Sequence, residues 1–224
     1  MTIRVLLADD QALLRGTFRL LIDSCPDLEV VAEAANGDDA VELTRAHHPD
    51  VVVMDIRMPG SDGLTATATI CADPALAATR VLVLTTFETD EHVARALRAG
   101  ASGFLGKYVT TDTLLAGIRT IAAGDALLSP GATRTLIARF LSTPRPSAPH
   151  VDPDQLAILT PREREITALA ALGKSNQDIA EQLVVSVLTV RTHIQHAMTK
   201  LGARDRAQLV VLAYQSRLGQ VPPT

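Results

Sequence analysis

The sequence predicts an α/β domain built on a parallel sheet, followed by a small all-α domain of four helices. Three observations carry that prediction. Over residues 3–122, short apolar runs alternate five times with amphipathic stretches, the pattern of βα units whose sheet is covered on both faces. Residues 142–154, STPRPSAPHVDPD, hold four prolines, which lack an amide donor and fix φ, so this stretch lies inside neither a helix nor a strand. Beyond it the periodicity is helical throughout. The predicted boundaries are a first domain over 1–124, a connection over 125–154 and a second domain over 155–220.

Each element follows from its own residues. Strands are predicted at 3–8, 28–34, 51–54, 81–84 and 103–105, where the apolar runs are short and largely β-branched or aliphatic. Helices are predicted between and after them at 13–21, 38–46, 64–71, 91–99 and 113–122. A further helix over 131–141 begins the connection. In the second domain, Thr160 is an N-cap with Pro161 at the first helical position and Glu163 closing a capping box. That helix runs to Ala171 and stops at Gly173. Ser175 caps a short helix over 176–183, Ser186 caps a third over 187–201 ending at Gly202, and a fourth spans 205–216.

Composition narrows the function classes. The chain has 224 residues, of which 47% are hydrophobic, enough to bury a core. No apolar run reaches the roughly 18 residues of a membrane span, and the opening MTIRVLLADD lacks the sections of a signal peptide. A soluble, cytoplasmic protein with no membrane partner is expected. Cys25 and Cys71 have neither CxxC nor zinc-finger spacing and read as reduced thiols. Residues 1–154 carry 13 Lys+Arg against 20 Asp+Glu, whereas residues 155–224 carry 8 against 5. An acidic module joined to a basic one points to nucleic acid at the C-terminal end.

In the first domain, chemistry gathers at strand ends. Asp9 and Asp10 close the first strand and Asp55 closes the third. In an open sheet wound 2-1-3-4-5 those strands are neighbours, and the crevice beyond their C-terminal ends is where ligands bind. Three carboxylates there raise one another's pKa unless a cation neutralises them, and a hard divalent ion such as Mg²⁺ suits oxygen ligands. Thr85 ends the fourth strand and Lys107 the fifth. A hydroxyl and an ammonium beside a metal-bound carboxylate make a site for a phosphoryl group carried on that carboxylate. The segment ADDQALL has no glycine-rich turn, which argues against a dinucleotide site.

The runs VLLADD (5–10), VVVMDIRMPGSDG (51–63), VLVLTTF (81–87) and GASGFLGK (100–107), in this order, resemble the signatures of response-regulator receiver domains. The resemblance covers roughly residues 3–122 and implies a flavodoxin-like (βα)5 fold. It implies that Asp55 is the phosphoacceptor and that Asp10, Asp55 and the backbone carbonyl of Arg57 bind Mg²⁺, with Asp9 assisting through water. It makes Thr85 and Phe104 a switch pair and places Lys107 on the phosphoryl group. A sensor histidine kinase as phosphoryl donor is implied by the family alone. Gly106 and Tyr108 depart from the residues the family often has on either side of the Lys.

In the third helix of the second domain, Val187, Val190, Ile194, Ala197 and Leu201 recur in steps of three and four, one buried stripe. Thr189, Arg191, Thr192, Gln195, His196 and Thr199 occupy the remaining surface without an acid among them. Arg pairs with guanine and Gln with adenine in the major groove, while Lys200 and Arg206 are placed for phosphates. The alternative for this face is a polar surface that meets only solvent. His193, beside the apolar stripe, is expected to be partly buried or on a phosphate. The tight Val184-Val185-Ser186 link matches helix-turn-helix geometry. Residues 159–214 closely resemble the NarL/LuxR-type DNA-binding domain, in which Arg191, Thr192 and Gln195 face bases. Val187 stands where the family frequently has Pro.

These readings converge on a two-component response regulator. Phosphorylation of Asp55 would favour a homodimer and binding to paired promoter half-sites, regulating transcription. The alternatives are a regulator that binds DNA without phosphorylation and a metal-dependent phosphatase. The second needs a further acid or base that the sequence does not supply.

Overall fold

In the computed structural model the chain divides into two compact units, Met1–Leu136 and Ile137–Thr224. The structure describes residues 2–86, 90–124, 127–128 and 157–215. The predicted helix over 131–141 and the proline-rich stretch 142–154 lie outside them.

In the first unit β1 (Ile3–Ala8), α1 (Ala12–Asp23), β2 (Leu28–Ala34), α2 (Gly37–His47), β3 (Val51–Met54) and α3 (Gly63–Ala72) come first. A 3-10 turn at Pro74–Leu76 leads into β4 (Arg80–Thr85), α4 (Asp90–Arg98), β5 (Gly103–Gly106) and α5 (Thr111–Ala122). All strand pairs are parallel, in the order β2-β1-β3-β4-β5-β6. The sixth strand, β6 (Leu127–Leu128), extends the predicted five at the edge beyond β5 and falls in the stretch read as connection. Two residues have too little pattern to declare a strand; only pairing with Gly103 and Phe104 defines it.

The core explains the apolar strands. Every residue of β3 is buried, as are the last four of β1. Val5, Leu7, Val51, Val53, Leu82 and Leu84 form one cluster with Ile22 of α1 and Leu114, Ile118 and Ile121 of α5. Short polar side chains fix the helix starts: Asn36 Oδ1 accepts from the Asp39 amide, Asp62 from Thr65 and Thr110 from Thr113.

The second unit is all helical over its described residues: α6 (Pro161–Ala171), α7 (Asn176–Leu183), α8 (Val187–Leu201) and α9 (Arg206–Gln215). Thr160 and Glu163 form the predicted capping box, and Ser175 forms a second with Asp178. Leu159, Ile166, Ile179, Val190, Ile194, Ala197 and Leu209 pack into one core that joins all four helices. Gly202 closes α8 in the left-handed conformation, φ 66°. Among the described residues, no helix is long and apolar enough to cross a membrane.

Candidate functional site

Register places the acidic residues. Ala8 pairs with Met54, so the next residue on each strand, Asp9 and Asp55, emerges at the same sheet edge. The Asp55 amide donates to the Ala8 carbonyl at 2.8 Å and so ties the two exits together. One carboxylate oxygen from each of Asp9, Asp10 and Asp55 lies within 4.8 Å of the others, with Asp9 and Asp55 buried and Asp10 exposed.

Thr85 pairs with Gly106 at the ends of β4 and β5, and the Lys107 amide donates to the Thr85 carbonyl at 2.7 Å. This delivers the Lys107 side chain, only 3% exposed, to the carboxylates. Its Nζ lies 2.6 Å from Asp9 Oδ2 and 2.9 Å from Asp55 Oδ2. Burial would lower the Lys107 pKa, but hydrogen bonds to Asp9 and Asp55 outweigh it and hold the ammonium charged. Burial pushes the Asp55 carboxyl up from its ordinary value, against the pull of Lys107, and the neighbouring Asp9 adds to the push.

Three carboxylates against one ammonium leave a surplus of two negative charges at this edge. A divalent cation with oxygen ligands restores the balance, so the donor set fits Mg²⁺ and matches the receiver-domain magnesium site. Thr85 is buried at 1% exposure and Phe104, two residues before Gly106 on β5, at 2%. Arg57 follows two residues after Asp55 on the exposed loop.

Two residues that sequence reasoning did not single out hold this pocket. Arg15 of α1 donates through Nη1 to the Asp9 carbonyl at 2.6 Å and is anchored on Glu33 at 3.1 Å. Gly63 opens α3 with its amide on the Ile56 carbonyl at 2.9 Å, and a Cβ there would sit 1.8 Å from the Asp55 carbonyl oxygen. The second glycine of MPGSDG is visible in the sequence; the close backbone approach that requires it is not.

In the second unit, α8 presents the predicted surface. Val190, Ile194, Ala197 and Met198 are buried, while Arg191, Thr192, Gln195, His196, Thr199 and Lys200 are exposed. Thr189 is half-buried and belongs to the helix cap: its amide donates to Ser186 Oγ at 3.0 Å. His193 is half-buried, and its Nδ1 has no hydrogen-bond partner among the described residues.

Of the two predicted phosphate contacts, Arg206 is buried and Lys200 is exposed but ion-paired. Arg206 is buried at 8% exposure, with Nη2 donating to the Lys174 carbonyl at 2.5 Å and Nη1 to Asn176 Oδ1. It ties the start of α9 to the cap region of α7, so it is a structural cation and not a surface one. Lys200 keeps an exposed stem but donates to both oxygens of Glu163, at 2.7 and 3.0 Å. Sequence alone shows a cation at each position and not the distant acceptors that claim it.

Burial pushes the Glu163 carboxyl up, but Lys200 and the Thr160 cap outweigh it and hold the pKa at about 2. A carboxyl depressed below its unfolded value of 4.5 contributes stability above that pH, and the contribution is lost as pH falls toward 2. Because the Lys200 side chain is one-third exposed, screening limits the contribution to about 1 kcal/mol. Glu163→Gln should therefore unfold more easily than wild type at pH 7, with the gap closing between pH 5 and pH 2 in denaturant titrations. A gap independent of pH would show that the ion pair contributes nothing.

Comparison with known proteins follows this division. The family described as response regulator receiver domain matches residues 5–119, and the luxR family of bacterial regulatory proteins matches residues 157–213. The chain is 38% identical over 216 residues to the oxygen regulatory protein NreC of Staphylococcus aureus (strain bovine RF122 / ET3-1), covering 96% of this chain and 98% of that protein. It is similar to the crystal structure of the response regulator ChrA of a heme-sensing two-component system, at 35% identity and TM-score 0.52. That match covers 97% of this chain and 98% of that one. It is also similar to a LuxR-family two-component response regulator from Aurantimonas sp. SI85-9A1, at 34% identity and TM-score 0.58, over 63% of this chain and 100% of that one.

Proposed function

Since the chain belongs to the NarL/LuxR-type two-component response regulators, we propose that phosphoryl transfer to Asp55 controls its sequence-specific binding to DNA. The first domain is a phosphoacceptor and not a dedicated enzyme. The observation that carries the reading is the meeting of Asp9, Asp10, Asp55 and Lys107 at one sheet edge, in a chain whose second unit presents an acid-free polar helix face.

In this reading a sensor histidine kinase in the cytoplasm supplies the phosphoryl group. An Asp55 carboxylate oxygen attacks phosphorus, the bond from phosphorus to the kinase imidazole nitrogen breaks, and that nitrogen leaves with its electron pair. The Ile56 amide holds Asp55 Oδ1 at 2.8 Å and orients the carboxylate. Lys107 shifts from the two carboxylates to a phosphoryl oxygen, and Thr85 donates to another. Asp9, Asp10, Asp55 and the Arg57 carbonyl would hold Mg²⁺, which when bound neutralises the phosphoryl oxygens. Arg15 and Gly63 act through position, by fixing the backbones of Asp9 and Asp55.

Residues 1–124 then act as the receiver, 125–154 as the connection and 155–220 as the DNA-binding domain. Phe104 is already inside the protein, so phosphorylation shifts a population of Thr85–Phe104 arrangements and does not draw a side chain in from solvent. The phosphorylated state favours a homodimer on paired half-sites, where each module raises the effective concentration of the other. Arg191, Thr192 and Gln195 face the bases, with His196 on the same DNA-binding surface, Lys200 beside the backbone and Thr189 fixing the helix start.

The test is sedimentation and DNA binding with and without beryllofluoride, on wild type and Thr85→Ala. Wild type should self-associate and bind specific DNA roughly tenfold or more tightly with the mimic, a shift of about 1.4 kcal/mol, and Thr85→Ala should respond less. Unchanged self-association and affinity, with the pocket occupied, would leave a regulator that binds DNA without phosphorylation.

A further inference from the structure

On the reading that the second unit binds DNA, we propose that Leu188 is a specificity residue that packs against the 5-methyl group of a thymine in the major groove. Leu188 is the second residue of α8 and is 72% exposed, outside the buried stripe of Val190, Ile194, Ala197 and Met198. Arg191, Thr192 and Gln195 follow it at three, four and seven positions and are exposed. At about 100° per residue these four side chains share an arc of roughly 100° on one face of the helix. The leucine therefore heads the same surface that the base-facing residues occupy.

Its position sets what it can touch. In helix-turn-helix docking the N-terminal residues of the second helix meet base edges, so the first turn of α8 reaches the floor of the groove. An isobutyl side chain there can neither donate nor accept, and among the groups that base pairs present in the major groove the thymine methyl is the apolar one. The backbone that carries it is held in place: Ser186 Oγ accepts from the Thr189 amide at 3.0 Å, and Thr192 Oγ1 donates to the Leu188 carbonyl at 3.0 Å.

The experiment uses the full-length chain with Mg²⁺ and beryllofluoride. High-affinity sites are selected from random duplex DNA by wild type and by Leu188→Ala, and each thymine of the wild-type site is then replaced by deoxyuridine, which lacks only the methyl. Wild type should select a half-site with an invariant thymine and lose about fourfold in affinity when that position becomes deoxyuridine. Leu188→Ala should relax selection there and bind both duplexes equally, with helical content unchanged by circular dichroism. Wild type indifferent to every deoxyuridine would overturn the proposal, as would sensitivity that persists in Leu188→Ala. A variant that alters self-association while keeping the thymine preference would assign Leu188 to a protein contact instead. If no sequence is selected at all, DNA binding itself fails, a result distinct from selection that ignores the methyl.

Discussion

Asp55→Asn should take phosphoryl incorporation from one group per chain to none when the protein is incubated with Mg²⁺ and a small-molecule phosphoryl donor. Intact-protein mass spectrometry reads the result. The carboxylate at this position is buried, Lys107 contacts it and the Ile56 amide orients it, and an amide in its place is a poor nucleophile. Asp9 and Asp10 are close enough to accept the group by accident, so the site of labelling needs mapping as well as its amount. Labelling of Asp55→Asn at the wild-type level would remove Asp55 from the role. Chelation of the metal should suppress labelling of the wild type too, since three carboxylates facing one ammonium repel an incoming phosphoryl group. Lys107→Ala deepens that surplus of negative charge and should slow incorporation even with the metal present.

The second large effect lies in the helical unit and concerns stability. Arg206→Ala removes a buried guanidinium and leaves the Lys174 carbonyl without that donor, at a cost of about 2–4 kcal/mol. In a unit of this size, that lowers the melting temperature by roughly 10–20 °C. Arg206→Lys should not restore it, because one ammonium cannot reproduce a fork that reaches both the Lys174 carbonyl and Asn176. DNA binding separates this role from a phosphate contact. At a temperature where the variant is folded, its salt dependence should equal that of wild type. Loss of a phosphate contact would instead reduce the slope of log K against log salt by about 0.9. A folded, thermally unperturbed Arg206→Ala with a flattened slope would return Arg206 to the DNA surface.

Much of this molecule is legible in one dimension because its signals are local. Five short, largely apolar runs announce five strands, since a strand covered on both faces, as β3 is along its whole length, admits apolar residues. Asp9, Asp10, Asp55, Thr85 and Lys107 each stand at the C-terminal end of such a run, and a parallel sheet gathers all those ends at one edge. Thr160, Ser175 and Ser186 declare helix starts because a cap is satisfied within three residues of itself. In α8 the apolar stripe and the polar face separate by helical period alone.

What tertiary structure decided is which partner each polar or small residue meets across a long sequence separation. Arg206 reads as a surface cation until Lys174 and Asn176, about thirty positions earlier, are folded against it. Lys200 has no visible acid within its own helix, and Glu163 reaches it from α6. Arg15 is an ordinary helical arginine until α1 lays it on the Asp9 carbonyl, and Gly63 is one more loop glycine until the Asp55 carbonyl approaches. Leu188 falls outside the apolar stripe of its helix, and the packed unit leaves it 72% exposed on the face that Arg191, Thr192 and Gln195 share. Periodicity and capping are properties of neighbours along the chain, so the amino-acid sequence determined five strands, the helices that follow them and the edge where the acids gather, while the two-residue β6 exists only through its pairing with β5. Charge pairing, close approach and exposure are properties of neighbours in space, which come into being only when the elements pack.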